Sequence, residues 1–169
     1  MNRSVAENAR PGTRDWALDR PATARQIEGY AAATSVNRGD LIDLFVNTRE
    51  PRFTLEVFRM GWYQGLGARR LAGPIVVTGT EQVMPVLDPV TGLADCAWVN
   101  PVALATATPN DPDDWHSGVY LARLTAGDSG AQSYILFVVR DDSLLCCRAA
   151  VPPGRHRTRR PCSPRPAFT

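Results

Sequence analysis

The stretch from Phe53 to Arg70, FTLEVFRMGWYQGLGARR, constrains this chain more than any other. Phe53, Leu55 and Val57 fall on one face of a strand by the period-two rule, with Thr54 and Glu56 on the other. At Phe58 and Met60 the second face turns apolar too, so something must cover that end of the strand. A loop follows, Gly61-Trp62-Tyr63-Gln64-Gly65-Leu66-Gly67. Its glycines supply backbone shapes that other residues avoid, while Trp62 and Tyr63 each bring a large contact area and one polar atom. Such a loop either plugs one end of a β-sandwich or anchors a ligand or a neighbouring domain. The residues alone leave both readings open.

Around this stretch the chain reads as strands and turns. Residues 1–25 are polar, carry Pro11, Gly12 and Pro21, and form an extended arm with Trp16 as the residue that docks it. Ile27 to Val36 reads as a first strand of small residues, closed by the turn Asn37-Arg38-Gly39-Asp40. Leu41 to Asn47 is a second, with Ile42, Leu44 and Val46 on one face. Pro74 to Thr78 gives a short strand. A long irregular segment then runs from Gly79 to Ser117, within which Trp98 to Leu104 can add a strand. Such length without regular structure is uncommon in a compact domain and is often functional or interface-forming. Gly118 to Ala126 and Ala131 to Arg140 are the two clearest strands. Tyr134 to Val139 is apolar on both faces, which marks a central strand or one covered on its outer side. Six to eight short strands and no convincing helix predict an all-β fold, an antiparallel immunoglobulin-like β-sandwich spanning residues 26–142 with a long irregular loop.

Composition adds a boundary. The 169 residues suffice for one domain. All 19 basic residues are arginine, and their distribution is uneven. Residues 1–142 hold 13 arginines and all 17 acids, whereas residues 143–169 hold 6 arginines and no acid. Cys96 is the one cysteine of the body; Cys146, Cys147 and Cys162 sit in the tail. An unpaired Cys96 gives no disulfide framework and fits a reducing compartment. Without a secretory signal at Met1 or an apolar run of membrane-spanning length, the expected location is cytoplasmic, with no membrane partner. The residues after Arg140-Asp141-Asp142 have the composition of GC-rich DNA read out of frame. They predict a disordered basic tail created by a frameshift near Ser143.

Several short motifs are accounted for without chemistry. Gly127-Asp128-Ser129-Gly130 matches the core of the trypsin-type nucleophile signature, but the only histidines are His116 and His156, and the chain order is wrong for a triad. A hairpin loop explains the glycines and the aspartate. Arg38-Gly39-Asp40 is ordinary turn chemistry between two strands. Asp111, Asp113 and Asp114 lack the spacing of a calcium loop. Cys146, Cys147, His156 and Cys162 carry zinc-binding atoms, yet adjacent cysteines are a poor bite for the ion. The arginine-rich run from Arg155 to Arg160 could touch phosphate, but the tail's composition has the simpler explanation above, and no nucleic-acid partner is expected.

Several blocks together resemble one family: Gln26-Ile27-Glu28-Gly29-Tyr30-Ala31, Thr34 to Asp40, Val57-Phe58-Arg59-Met60-Gly61-Trp62-Tyr63, Asp114-Trp115 with Ser117 to Leu121, and Ser133 to Asp142. In this order they resemble the amino-end region of proteins similar to the large (beta) subunit of N,N-dimethylformamidase. The resemblance covers roughly Glu7 to Asp142, and Gln64 stands where it leads one to expect a second small residue. It implies a β-sandwich preceding a larger domain, in which a small amide is hydrolysed at an iron held by two tyrosines and a glutamate. The iron would act as Lewis acid and lower the pKa of its water. Because that domain is not seen here, Tyr63, Tyr120 and Tyr134 are not assigned as ligands, and no cofactor or metal is expected in this chain. The implied function is that of a non-catalytic accessory domain of a truncated amidohydrolase, packing on the catalytic domain or on another subunit. Trp62, Tyr63, Trp98 and Trp115 are the candidate anchors, and an exposed apolar patch would promote self-association. The competing reading is a free-standing module that binds carbohydrate or protein through the same aromatics.

Overall fold

A computed structural model describes residues 3–108, 111 and 114–142 of the chain. The basic tail, with its cysteines and His156, lies outside the described residues, as does Asp113. Among the described residues the strands are β1 (Ile27–Ala31), β2 (Ser35–Asn37), β3 (Leu41–Thr48), β4 (Arg52–Met60), β5 (Ala68–Thr78), β6 (Val102–Ala105), β7 (Gly118–Ala126) and β8 (Gln132–Arg140). They form a three-stranded sheet, β1-β3-β6, and a five-stranded sheet, β2-β8-β7-β4-β5. This is the all-β sandwich that the alternating pattern predicts.

The core lies between the sheets and is built from the faces the period selects. Ile27, Ile42, Leu44, Val46 and Leu104 come from one layer; Phe53, Leu55, Val57, Leu124, Ile135 and Val139 come from the other. Trp115, Tyr120 and Phe137 stack in a row at one end, with ring centroids 5.2 Å and 5.5 Å apart.

Three elements differ from the expectation. The first predicted strand is two: residues 32–34 step across the sandwich, so β1 pairs with β3 while β2 pairs parallel with β8. Small side chains at Ala31, Ala32 and Ala33 hold neither face strongly, which lets the chain change sheets there. β5 begins at Ala68 rather than Pro74, because Arg69 and Arg70 continue the ladder opposite Arg59 and Phe58. The arm also contains a short helix, α1 (Arg3–Asn8).

The arm docks as Trp16 suggested. Trp16 Nε1 donates to the Leu66 carbonyl at 2.9 Å, and the Thr13 N–H donates to the Ala68 carbonyl at 2.8 Å. At Gly67, with φ +91°, a Cβ would sit 2.8 Å from Trp16 Nε1, so the indole uses space that only glycine leaves. Farther along, Gln132 accepts from the Asp19 N–H, Tyr134 donates to the Trp16 carbonyl, and Arg123 donates to the Asp15 carbonyl. Arg123 also lies over the Phe58 ring, 5.4 Å from its centroid. The apolar second face of β4 thus finds its cover in a cation and the arm that the cation holds. No helix of the described residues is long and apolar enough to cross a membrane.

Candidate functional site

The β4–β5 connection carries the aromatic loop, and a buried ionic cluster fixes it from beneath. Tyr63 is fully buried, with its hydroxyl donating to Glu7 Oε1 at 2.7 Å and accepting from Arg59 Nη1 at 3.0 Å. Arg69 bridges two carboxylates: Nε donates to Glu7 Oε1 at 2.8 Å and Nη2 to Asp114 Oδ1 at 2.9 Å. Arg10 adds a 2.7 Å bond to the same Asp114 oxygen, and Thr108 donates to the other. Glu7 Oε2 has no hydrogen-bond partner but lies 3.5 Å from Arg10 Nε and 4.0 Å from His116 Nε2.

Burial pushes the Glu7 carboxyl up, yet Arg69 and Tyr63, with the charge of Arg10, outweigh it and hold it below the usual range. Asp114 follows the same balance: burial raises it, and Arg69, Thr108 and Arg10 bring it lower still. Burial, reinforced by the bond to Glu7, raises Tyr63; burial likewise raises Tyr120, whose hydroxyl donates to the His116 carbonyl. Tyr63, Gln64 and Trp115 adopt positive φ of 36°, 58° and 58° around this cluster. Conformations of this kind cost on the order of 1–3 kcal/mol each, and the bonds just described hold them in place.

Tyr63 and Glu7 meet here while the Tyr120 hydroxyl is turned to the His116 carbonyl, and the group is not a metal site. The phenols are held protonated, Glu7 Oε1 is taken by two donors, and Arg10, Arg59 and Arg69 surround the carboxylates with positive charge. No group of metal-ligating residues is found among the described residues. The geometry does not fit an iron held by those side chains.

The four predicted anchors separate. Trp62 alone projects, 70% exposed, above the locked loop, with its N–H bonded to Asn8 Oδ1 at 2.9 Å. Tyr63 serves the ionic cluster. Trp115 is 2% exposed in the aromatic row, its indole donating to Thr108. Trp98 is 9% exposed and leans on Tyr30, which stacks on Phe45. These four do not line up as a concave row of aromatics.

Trp98 has another task. Its Nε1 donates to the Val83 carbonyl at 3.2 Å, and the buried Gln82 bonds to the Val46 and Val99 carbonyls. Together they seat the segment 82–99 on the outer face of the three-stranded sheet. Between them a small hairpin projects, closed by a Leu87–Ala94 bridge and by Asp88, whose Oδ1 accepts from the Val90 and Thr91 N–H groups. Those two donors hold the Asp88 carboxyl below its ordinary range. Val83, Met84, Val86, Leu87, Val90 and Leu93 are all exposed, Val90 at 90%. No arginine occurs between Arg70 and Arg123, so every charge on this segment is acidic. Motif reading found the segment's irregular length but missed its apolar projection; the missing signal was this run of valine and leucine without a basic residue.

Other candidates resolve into structure. Glu50 accepts from the Asp128 and Ser129 N–H groups and from Ser129 Oγ, so the Gly127–Gly130 loop is a bonded turn. Arg38 pairs with Asp141 at 3.7 Å, and Gly39 takes φ +94° in its turn. A cavity of about 480 Å³ opens among Arg25, Glu28, Asn47, Arg49, Glu81 and Gln82. Its arginines are already paired, Arg25 with Glu28 at 2.9 Å and Arg49 with Glu81 at 2.7 Å, and Glu50 at its rim is bonded to the Gly127–Gly130 loop.

Comparison with known proteins gives a family. The family described as N,N-dimethylformamidase beta subunit-like, C-terminal, matches residues 54–158. That description assigns the matched stretch to the C-terminal part of such proteins, where the sequence blocks alone pointed to the amino end. No curated protein matches the chain. Among solved structures, the crystal structure of murine CEACAM1b is similar at 13% identity and a TM-score of 0.28, over 68% of this chain and 54% of that one. The chain thus spans about half the length of that solved chain.

Proposed function

The chain belongs to the N,N-dimethylformamidase beta subunit-like, C-terminal family, and from that premise we propose that it is a non-catalytic accessory domain of a dimethylformamidase-like amidohydrolase. It docks on the catalytic domain or subunit, where the iron-dependent hydrolysis of a small amide takes place. The observation that carries this reading is the hairpin between Val83 and Leu93. Single exposed apolar residues are normal on a protein surface, but a contiguous set held out on a preformed turn is the mark of an interaction site. Because Asp88 and the two backbone donors fix the turn in advance, docking would cost little ordering entropy. Acidic charge alone on the segment makes a polypeptide with a basic rim the fitting partner and disfavours anionic lipid or nucleic acid.

Calorimetric titration with the catalytic polypeptide of a family member tests the docking. Replacing Val86, Leu87 and Val90 together by serine should abolish or strongly weaken binding while leaving the circular dichroism spectrum unchanged. The chain alone, assayed on formamides with iron(II), should show no turnover above an iron-only blank. Turnover by the chain itself would overturn the non-catalytic reading.

A further inference from the structure

We propose that the first residues of the tail, 143–151, fold back onto the outer face of the five-stranded sheet, where Leu144 and Leu145 cover an apolar patch made by Val119, Leu136 and Val138. Tyr120, Phe137 and Val139 belong to the core between the sheets. Their neighbours along each strand therefore stand on the opposite face. There Val119 is directly opposite Val138, and Leu136 is opposite Leu121. Val119 is 41% exposed and Leu136 is 61% exposed.

The rest of that face has a cover. Toward the Gln132 end of β8 the arm crosses it, held by Tyr134 at the Trp16 carbonyl and by Arg123 at the Asp15 carbonyl. Phe58, opposite Leu121, lies beneath the Arg123 guanidinium and is fully buried. Toward the Arg140 end the cover stops, and branched aliphatic side chains on two adjacent strands meet solvent. One such residue alone needs no explanation, but neighbours across and along the strands form a contact surface.

The place where the chain leaves the described residues selects the occupant. Leu136 and Val138 lie on β8, which ends at Arg140. The Asp142 N–H donates to Asn37 Oδ1 at 3.0 Å, and Arg140 pairs with Asp142 at 3.0 Å, so the tail starts beside the patch. Leu144 and Leu145 follow at once, and Val151 closes the apolar part before Pro152 and Pro153. Five of the tail's six arginines come after those prolines, so the part nearest the patch is the apolar one. Leu136 lies about 20 Å of extended chain from Asp142, and residues 143–151 reach about 30 Å, so a reversal of direction suffices. A segment tethered this closely has a high effective concentration, which a separate partner lacks. The family match runs past Asp142 to residue 158 and so includes the segment. The hairpin sits on the other sheet, and docking of the tail does not depend on the accessory role.

The tail's own thiols, Cys146 and Cys147, test this on the full chain. Val119→Cys puts a reporter thiol in the patch, and Leu41→Cys puts one on the outer face of the other sheet. Leu41 is 66% exposed and lies three residues after Arg38, whose N–H donates to the Arg140 carbonyl, so it too is near the tail's origin. Circular dichroism should report an unchanged fold in each variant, since both sites are exposed. Under diamide oxidation at low protein concentration, peptide mass spectrometry should find the Val119→Cys thiol joined to Cys146 or Cys147 of the same chain. That bond should form at least about tenfold faster than the one from Leu41→Cys. Adding Leu144→Ser with Leu145→Ser, or Leu136→Ser, should bring the two rates together. Equal rates with the leucines intact overturn the proposal. So does a preference that survives the serine replacements, or a bond from Val119→Cys that joins two chains instead of closing within one.

Discussion

The two ends of the β4 strand hold their loops by opposite means. Beyond Met60, the Trp62 loop rests on buried ions: Glu7 and Asp114 bind the guanidiniums of Arg69 and Arg10, and Tyr63 is locked between Glu7 and Arg59. At the Arg52 end, where Thr78 of β5 pairs with it, the chain from Thr80 onward is seated by one glutamine, one indole and a backbone bond to Thr48, and its hairpin shows its apolar residues to solvent. One end has closed on itself, and the charges that do so come from distant parts of the sequence. The other end has left its apolar surface uncovered. Burial of charge contributes rigidity only when every partner is present, whereas an apolar projection can wait for one.

The sharpest contrast comes from removing one partner of the closed end. Glu7→Ala leaves Arg69 without its shared carboxylate and Tyr63 without its acceptor, and should lose about 3–5 kcal/mol in urea unfolding. Val90→Ser, at the open end, should change stability by less than about 0.5 kcal/mol. Equal effects would erase the distinction.

Binding should show the reverse order. The triple serine replacement at Val86, Leu87 and Val90 should weaken association with the family's catalytic polypeptide roughly a hundredfold, or about 2.7 kcal/mol. Trp62→Ala should have a smaller effect, about tenfold, because one exposed indole presents less surface than the hairpin. Its unfolding midpoint should not move. Calorimetry and denaturation on the same preparations measure both.

Acid should open the closed end first. The Glu7 and Asp114 carboxyls are held below their unfolded values by their arginine and hydroxyl partners. Their contribution is present above about pH 4 and is lost as pH falls through the lowered folded values. Stability should therefore decline on acidification below about pH 4. Glu7→Gln should flatten that decline, since it removes one of the two titrating groups. A variant with the wild-type slope would place the acid sensitivity elsewhere.

The smallest expected change is at Gln64. Its φ of 58° is one that glycine takes without a Cβ penalty, which explains why the resemblance leads one to expect a small residue there. Gln64→Gly trades that strain for chain entropy and a 3.3 Å bond to the Ala9 carbonyl, so stability should shift by less than about 1 kcal/mol. Thermal melts resolve a shift of this size.

What could be read from the residues follows from how local each cause is. The period of Phe53, Leu55 and Val57 and that of Ile42, Leu44 and Val46 reflect burial on one face of one strand, and both faces are buried as predicted. Trp16 was readable as a dock because it stands nearly alone in a polar arm. The sheet change between Ala31 and Ser35 was not readable, since small residues carry no strong facial preference. The ionic cluster was hidden for a different reason: Glu7, Arg69 and Asp114 lie far apart in sequence, and nothing near any of them marks a partner. Aromatic residues report contact area but not its direction, so Trp62 and Trp115 look alike in sequence while one faces solvent and the other the core. The family resemblance narrowed the fold and left the surface open.

Hydrogen–deuterium exchange on the chain, with and without the family's catalytic polypeptide, is the most direct test of the proposed docking. Amides of the loop 61–67 should be protected in the isolated chain and change little with the partner, whereas those of 86–93, held by bonds at an exposed turn, should slow markedly when the partner is added. If the hairpin amides exchange at the same rate with the partner bound, the projection is not the docking element and the accessory reading loses its support.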